Sequence, residues 1–350
     1  MAKVTVNTAK PYDILIEKGL LDRAGDLIRQ AAGGSAVCVV TDDTVDSLYG
    51  ERLTASLENA GYRWEKFVIP HGEASKNADN FIKILNFLAE KQFTRTDVVA
   101  ALGGGVVGDL AGFAAACYNR GMLFVQLPTT LLAAVDSSVG GKTAIDLDAG
   151  KNLAGAFYQP RLVLCDYATL DTLSDEIFRD GCAEVIKYAV IADGALFEQL
   201  KKPIKEQLEQ VITRCVEIKR DVVIEDEFDT GLRQILNFGH TVGHAVEANS
   251  HFTISHGQGV AIGMAIEAKA AAKQGYCSES CAGAIIDLIR AYQLPTESPY
   301  DASTLCEKAL SDKKRRGNAI SLIVPRAIGK VDIVKIPVDK LLPFIQDGME

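Results

Sequence analysis

The sequence lacks the features that would link the chain to a membrane or to a disulfide scaffold. Its eight cysteines include no C-x-x-C pair, and most lie in apolar runs, so reduced cysteines are expected. The longest apolar stretch, residues 98–117, contains an aspartate and five glycines, which argues against a membrane span. The first residues contain no apolar segment of the kind that forms a secretory signal. We therefore predict a cytoplasmic protein with no membrane partner.

Positive charge is also scarce. The 350 residues include 37 Lys and Arg against 46 Asp and Glu, a net charge of −9 with histidine neutral. Because phosphate contacts need a surplus of basic residues, we predict no nucleic-acid partner. The composition, 48% hydrophobic and 24% charged, is that of a globular protein with a substantial core, and the length suffices for two domains.

The hydrophobic pattern changes near the middle of the chain. Before residue 170, short β-branched runs alternate with helical patterns, which is typical of a parallel sheet covered on both faces. After residue 174 the pattern is mainly helical, apart from two late strands. We predict an α/β Rossmann-like domain with a parallel-rich sheet over residues 1–175, and a mainly α-helical domain over residues 176–350. The predicted strands of the first domain are 37–41, 64–69, 98–102 and 123–127, of which 37–41 and 98–102 are expected to be buried.

A glycine-rich turn follows the third of these strands. Gly103, Gly105 and Gly108 have the G-x-G-x-x-G spacing between a strand and a helix, where backbone N–H groups can approach a pyrophosphate. The alternative is a turn that only allows close packing of the helix on the strand. No acidic residue lies about 20 positions downstream at a strand end, so a ribose contact is expected from Asp42 or Glu73 instead.

Two further lysines lie near glycines. Residues 136–143 resemble the end of a P-loop, but Asp136 stands where that loop needs glycine, so a P-loop is rejected. Lys142, and Lys151 together with Asn152, can still reach a phosphate. The alternative for each lysine is a solvated position in a loop.

The strongest cluster of candidate ligands is rich in histidine. Four of the five histidines lie within residues 240–256, and the candidate ligands among them are His240, His244 and His256. His240, His244 and Glu247 recur at i, i+4 and i+7 and share one helix face, so their spacing favours His240 and His244 as a metal-binding pair. His256 follows soon after. The glutamate of the H-E-x-x-H motif is missing, so a metalloprotease is not supported.

Charged residues on other predicted helices leave two interpretations open. Glu184 and Lys187, one turn apart, form either an ion pair or a metal ligand with a neighbouring cation. Lys219 lies on an apolar stripe, where it either extends its ammonium group to solvent or binds a carboxylate together with Arg233. The basic run at 312–316 is either a solvated face or a segment that reaches a phosphate.

Taken together, these motifs resemble the 3-dehydroquinate synthase family. The resemblance implies a dehydroquinate synthase-like fold and a shikimate-pathway enzyme that uses NAD and a divalent metal, usually zinc, with cobalt as the alternative. The implied reaction converts 3-deoxy-D-arabino-heptulosonate 7-phosphate into 3-dehydroquinate and phosphate by transient oxidation, phosphate elimination, reduction and intramolecular aldol closure. Other sugar-phosphate cyclases, of the inosose or valiolone type, and metal-dependent alcohol dehydrogenases are the alternatives. The matching segments are 103–113, 128–132, 136–143, 150–152, 183–187, 236–244 and 312–314.

The resemblance also implies roles for single residues. It assigns the metal to Glu184, His240 and His256, which differs from the spacing argument and makes His244 a polar or proton-relay group near the phosphate. Arg120 would reach the site of the other subunit of a homodimer. The implied contacts to the sugar-acid phosphate are Lys142, Asn152, Lys187, Lys219, Arg233, Asn237, Lys313 and Lys314. The implied NAD contacts are Asp42, Glu73, Lys76, Gly104, Gly105, Asp109, Thr129, Thr130, Asp136, Ser137, Lys142, Lys151 and Thr172.

Two segments depart from the family's commonest pattern. The family often has glutamate where Gln258 stands, two residues after His256, and residues 144–148 also differ. Neither change removes a candidate ligand. Gln258 is nevertheless close enough in sequence to alter the surroundings of a metal.

Overall fold

A computed structural model describes residues 1–251, 253–313 and 318–350, without the side chains of residues 312 and 313. The chain forms two compact units: Met1–Leu173 with Leu208–Phe228, and Ser174–Gln207 with Asp229–Glu350. The helix Leu208–Glu225, which the sequence analysis placed in the second domain, lies in the first unit. It packs against the first two strands of the chain, and the sequence shows its apolar face without showing what covers that face.

The strands and helices of both units are numbered along the chain. The strands are β1 (Ala2–Val6), β2 (Tyr12–Ile16), β3 (Ala36–Asp42), β4 (Arg63–Ile69), β5 (Val98–Gly103), β6 (Leu123–Pro128), β7 (Lys142–Leu147), β8 (Gly150–Phe157), β9 (Leu162–Cys165), β10 (Ala319–Ala327) and β11 (Lys330–Pro337). The helices are α1 (Ala24–Ala31), α2 (Asp43–Val45), α3 (Glu51–Asn59), α4 (Ala78–Glu90), α5 (Gly105–Cys117), α6 (Asp175–Ala192), α7 (Gly194–Gln199), α8 (Leu208–Glu225), α9 (His240–Asn249), α10 (His256–Lys273), α11 (Glu279–Ala291), α12 (Ala302–Lys313) and α13 (Leu341–Met349).

The first unit is built on a seven-stranded sheet with the order β1-β2-β9-β6-β5-β3-β4. Only β1 and β2 pair antiparallel in this sheet, whereas its other neighbours run parallel. The interior strand β5, between β6 and β3, is buried along its whole length, which explains its continuous apolar sequence. Separate apolar clusters pack α1 and α3 on one face and α4 and α5 on the other. The predicted parallel-rich α/β fold is confirmed.

The second unit is mainly helical, as predicted. Its central helix, α10, packs against α6, α9, α11, α13 and β10, so almost every side of it is covered. Such crowding explains its alanine- and glycine-rich sequence, because small side chains let neighbouring helices approach closely. The hairpin β10–β11 closes the same core. Within the described ranges, no helix combines the length and the hydropathy needed to cross a membrane.

Candidate functional site

The glycine turn lies at the carboxyl end of β5, where the chain enters α5. A Cβ on Gly108 would lie 2.8 Å from a side-chain oxygen of β6, so this glycine lets α5 pack on the sheet. At Gly104 and Gly105 a Cβ would instead lie 3.2 Å from the side chains of Thr130 and Ser137. Close packing therefore accounts for Gly108, while the first part of the turn faces side chains that the resemblance assigns to NAD.

Two buried hydroxyl groups beside this turn have no hydrogen-bond partner among the described residues. They are Thr129 Oγ1, directly after β6, and Ser137 Oγ. Buried polar groups are nearly always paired, so these hydroxyls indicate a place for a polar ligand. The carboxyl ends of β3, β5 and β6 meet at this edge, where open α/β sheets bind their ligands. The residues present thus fit a dinucleotide.

Other candidate NAD contacts are held by hydrogen bonds within the first unit. The Asp42 carboxylate accepts the N–H of Val45 at 2.9 Å and so caps α2. Thr130 Oγ1 accepts a backbone N–H at 3.2 Å. The hydroxyl of Thr172 lies 2.6 Å from that of Tyr49.

Lys76 is the centre of a buried network of charges. Its ammonium nitrogen lies 3.1 Å from Glu73 Oε1 and 3.3 Å from Asp109 Oδ2. It lies 3.9 Å from Asp146 Oδ1 and donates to Asn152 Oδ1 at 2.7 Å. Burial alone would lower the pKa of Lys76, but the three carboxylates outweigh it and raise that pKa. Burial raises the pKa of Asp109 to about 6, although Lys76 opposes the rise.

Asp146, to which no sequence pattern points, holds Asn152 in place. Its Oδ1 accepts the backbone N–H of Asn152 at 2.9 Å, and its own N–H donates to the Lys76 carbonyl at 2.8 Å. Asn152 has φ +57°, a left-handed conformation that asparagine tolerates well. Because its side-chain oxygen faces Lys76, its NH₂ group is the part that can donate to a substrate oxygen. These contacts depend on the β7–β8 hairpin, which no sequence signal predicted.

The other basic residues of the first unit that were predicted to contact a ligand differ in their exposure to solvent. Lys219 on α8 is buried, and its ammonium lies 2.9 Å from Asp136 Oδ1, so the interpretation of a solvent-directed lysine is wrong. Lys151 lies 3.5 Å from Glu73 Oε1. Lys142 begins β7 with an exposed side chain, and Arg120 is exposed with φ +62°.

In the second unit, three helices bring the candidate metal ligands together. Glu184 lies on α6, while His240 and His256 are the first residues of α9 and α10. Glu184 Oε1 lies 3.4 Å from His240 Nε2 and 3.3 Å from His256 Nε2. One ligand atom of each residue lies within 4.8 Å of the others, and His244, Glu247 and His256 form a second such group. His244 itself is exposed.

The far nitrogen of each imidazole is also held. His240 Nδ1 lies 3.1 Å from the Phe238 carbonyl oxygen, and His256 Nδ1 lies 3.1 Å from Glu247 Oε1. A carbonyl or carboxylate at this position is the usual partner of a metal-binding histidine, because it fixes the ring and leaves the other nitrogen for the metal. Both Nε2 atoms therefore point to one oxygen of Glu184.

The pKa values of the two imidazoles are shifted in opposite directions. Burial lowers the pKa of His240 to about 3, so its ring is neutral, as a metal ligand must be. At His256 burial is outweighed by Glu184 and Glu247, which raise its pKa to about 10. Lys187 is buried and forms an ion pair with Glu184. Of the two interpretations left open for this pair, the ion pair is present, and the position of Glu184 beside the imidazoles also suits a metal ligand.

Glycines allow α9 and α10 to approach closely enough for this arrangement. A Cβ on Gly263 would lie 1.9 Å from the Gly239 carbonyl oxygen, and one on Gly243 would lie 2.8 Å from the Gly259 backbone. The N–H of Gly239, directly before α9, donates to the buried carboxylate of Glu267 on α10 at 2.8 Å. The position of His240 thus depends on backbone packing between the two helices.

Substituting alanine at Gly263 is expected to lower the free energy of unfolding by about 1–3 kcal/mol or more, because the new methyl group meets backbone atoms. Gly283→Ala on α11 is the matched control, since nothing lies within 4 Å of its Cβ position. That change is expected to raise the stability by up to about 1 kcal/mol. Denaturant titration of both metal-free variants measures the difference. Equal stabilities would contradict the packing argument.

Four more predicted substrate contacts belong to the second unit. Arg233 is buried and Asn237 is exposed, both on the 3₁₀ helix that precedes α9. Lys313 is the last residue of α12, and its side chain lies outside the described part of the chain, as does the whole of Lys314.

Family models and individual proteins match the chain along most of its length. The model of the 3-dehydroquinate synthase N-terminal part matches residues 66–180, and that of the C-terminal part matches residues 181–315. The chain is 46% identical to a 3-dehydroquinate synthase from Pelobacter propionicus, covering 100% of both sequences. It is 43% identical to one from Streptococcus suis, covering 98% of this chain and 99% of the relative.

Solved structures of sugar-phosphate cyclases share the fold. A 2-epi-5-epi-valiolone synthase from Streptomyces hygroscopicus, with NAD⁺ and Zn²⁺ bound, is 28% identical with a TM-score of 0.86, covering 96% of both chains. A 2-deoxy-scyllo-inosose synthase is 23% identical with a TM-score of 0.88, covering 99% of this chain and 100% of that one. An iron-containing alcohol dehydrogenase has a lower TM-score of 0.67 at 15% identity, covering 97% of both chains. The family resemblance is thus confirmed, and the chain belongs to the 3-dehydroquinate synthase family.

Proposed function

We propose that this protein converts 3-deoxy-D-arabino-heptulosonate 7-phosphate into 3-dehydroquinate and phosphate, using NAD and a divalent metal. The observation that carries the proposal is the convergence of two oriented imidazoles on one oxygen of a buried carboxylate, with a lysine beside it. The names of the relatives that match the whole chain support the same reaction.

Glu184, His240 and His256 are the residues proposed to hold the metal. One carboxylate oxygen and two imidazole nitrogens suit zinc, with a coordination position left for substrate oxygens. Zinc is therefore the proposed metal, and cobalt, which the inosose synthase structure contains, is the alternative. When bound, the metal supplies Lewis-acid stabilisation of negative charge on the substrate.

The proposed NAD site combines the glycine turn with the polar residues around it. Thr129 and Ser137 offer hydroxyl groups without partners in the described structure, and Gly104 and Gly105 leave room beside the N-terminus of α5. NAD, when bound, supplies the transient oxidation and the later reduction of the substrate. The other proposed contacts are Asp42, Glu73, Lys76, Asp109, Thr130, Asp136, Lys142, Lys151 and Thr172.

The chain's own cations are proposed to recognise the two anionic groups of the substrate. Lys187, Lys219 and Arg233 are buried, and an arginine or lysine in that setting favours an oxyanion partner. Asn152 directs its NH₂ group outward from the Lys76 network, and His244 is proposed to relay a proton near the phosphate. Lys142, Asn237, Lys313 and Lys314 complete the proposed substrate contacts.

We further propose a cytoplasmic homodimer in which Arg120 reaches the partner's site. Arg120 is exposed and follows Asn119, and both have positive φ, so the tight turn there projects a basic side chain from the first unit. The division of the chain at residues 175 and 176 into an NAD-binding and a metal- and substrate-binding part also remains a proposal. Sedimentation of the purified protein tests the assembly.

A substrate panel tests the proposed reaction against its alternatives. Purified protein with NAD and Zn²⁺ is expected to release phosphate from the heptulosonate phosphate and not from glucose 6-phosphate or sedoheptulose 7-phosphate. Lys219 and Arg233 give the reason, because only the first of these substrates carries a carboxylate. Turnover of either of the other two instead would indicate an inosose- or valiolone-type cyclase and contradict the proposal.

A further inference from the structure

A second carboxylate on α6, Asp180, lies one helical turn before Glu184. Residues four apart on a helix lie on the same face, so both carboxylates face α10. Asp180 Oδ1 accepts hydrogen bonds from Ser255 Oγ and, at 3.2 Å, from the backbone N–H of Gln258. Ser255 is the N-cap of α10, so Asp180 binds the turn of that helix whose N–H groups lack partners within the helix.

Gly257, between these two contacts, allows the close approach of α6. A Cβ at this position would lie 2.1 Å from the Asp180 carbonyl oxygen and 2.6 Å from its Oδ1. No other residue type fits there without moving one of the helices. The start of α10 is therefore fitted to the Asp180 side chain and backbone.

Helix α6 thus holds α10 at two levels. At the first level, Asp180 binds the backbone of the first turn of α10. At the second, Glu184 Oε1 lies 3.3 Å from the Nε2 of His256, the first residue of α10. Since His256 lies between Ser255 and Gln258, a shift of this turn would move the imidazole away from Glu184.

We propose that Asp180 is a positioning residue for the metal site, which fixes His256 relative to Glu184. The inference rests on the proposed function, because it takes these two residues as metal ligands. Asp180 is not itself proposed as a ligand. It acts on the metal site by holding the backbone at the start of α10, which carries His256.

Gln258 also takes part in the hydrogen bonds that hold the first turn of α10. Its side-chain oxygen accepts the N–H of Ser255 at 3.2 Å and completes a capping box, a role that glutamine and glutamate share. A glutamate, which the family often has here, would add a second negative charge beside the serine that already binds Asp180. We therefore expect Gln258→Glu to weaken the cap unless Asp180 is made neutral.

Zinc affinity of the metal-free protein, measured by competition with a chromophoric chelator, tests the proposal. Asp180→Ala is expected to weaken Zn²⁺ binding by about 10–100-fold, the usual effect of losing a residue that orients a ligand. Asp180→Asn, which can accept the same hydrogen bonds, should retain most of the affinity. Asp175→Ala is the matched control, since this exposed carboxylate on α6 pairs only with Lys205 among the described contacts, at 3.0 Å.

Gln258→Glu and the double variant Asp180→Asn/Gln258→Glu provide a second measurement. The single change should weaken Zn²⁺ binding, and the double variant should recover it. Replacing zinc with Co²⁺ gives a visible spectrum that should change in Asp180→Ala, because the ligand geometry is distorted. A purely structural role would change stability alone and leave both the affinity and the spectrum of the folded protein intact.

The outcomes separate this inference from the proposed function. If Asp180→Ala folds and binds Zn²⁺ like the parent while His256→Ala does not, the positioning role is overturned and the metal site stands. If His256→Ala also binds Zn²⁺ like the parent, the assigned metal site is wrong and the inference falls with it. If Asp180→Ala fails to fold, the Gln258→Glu pair decides, and an unchanged affinity there contradicts the proposal.

Discussion

Replacing His256 with alanine is expected to abolish tight Zn²⁺ binding, whereas His244→Ala should retain most of it. His256 Nε2 lies 3.3 Å from Glu184 Oε1, and its Nδ1 is held by Glu247, so the ring is oriented for a metal. Loss of a direct ligand should exceed the roughly 100-fold upper range seen for outer partners. Equilibrium dialysis against a zinc buffer measures both variants without requiring substrate.

The two variants form a matched pair, because each removes one imidazole from the same cluster. The ring centroids of His244 and His256 lie 5.9 Å apart. The reverse order of affinities would favour the helical pair His240 and His244, which spacing alone suggests. An equal, small loss in both would mean that neither group of candidate ligands holds the ion.

Replacing Lys76 with methionine is expected to lower the free energy of unfolding by about 3–5 kcal/mol, because breaking a buried ion pair leaves its carboxylates without compensation. The loss in the free energy of unfolding should also be larger at high pH than at low pH. The folded-state pKa of Asp109 is already raised to about 6 from 3.8, and without Lys76 it rises further. For a carboxyl group with a raised folded-state pKa, stability is present at low pH and falls as pH rises through that value.

Denaturant titrations below and above that pKa, at about pH 5 and about pH 8, measure this effect. Lys3→Met is the control, since Lys3 and Asp13 form an exposed pair at 2.8 Å that should contribute less than about 1 kcal/mol. Adding Asp109→Asn to Lys76→Met should recover part of the stability and flatten the pH dependence. A small loss that does not change with pH would show that the network is not the stabilising feature described above.

The core of the first unit could be predicted from sequence, because a buried parallel strand is apolar along its whole length. Strands β3 and β5 show this pattern and were predicted to within two residues. The hairpin β7–β8 could not be predicted from sequence, because glycines and charged residues interrupt the alternation of apolar and polar residues that is typical of a strand. Helix α8 was predicted correctly as a helix, but its partner depends on tertiary contacts that its own periodicity does not encode.

The candidate site, too, could be predicted only in part from local sequence patterns. Periodicity compares residues within one helix, and it therefore favoured His240 with His244 on α9. The three candidate metal ligands come from three different helices, and His256 lies 72 positions away from Glu184. Family resemblance supplied this grouping, whereas no local pattern pointed to Asp146. Asp180 and Glu184 are four residues apart on α6, and this spacing alone could have predicted that both carboxylates lie on the same face of the helix.

The proposed reaction is tested most directly by measuring phosphate release and NADH absorbance together, in one reaction containing the heptulosonate phosphate, Zn²⁺ and a small amount of NAD. We predict that many phosphates are released for each NAD present, with 3-dehydroquinate formed in equal amount and no accumulation of NADH. NADH that rises in step with substrate consumption, without phosphate, would show a dehydrogenase and contradict the account.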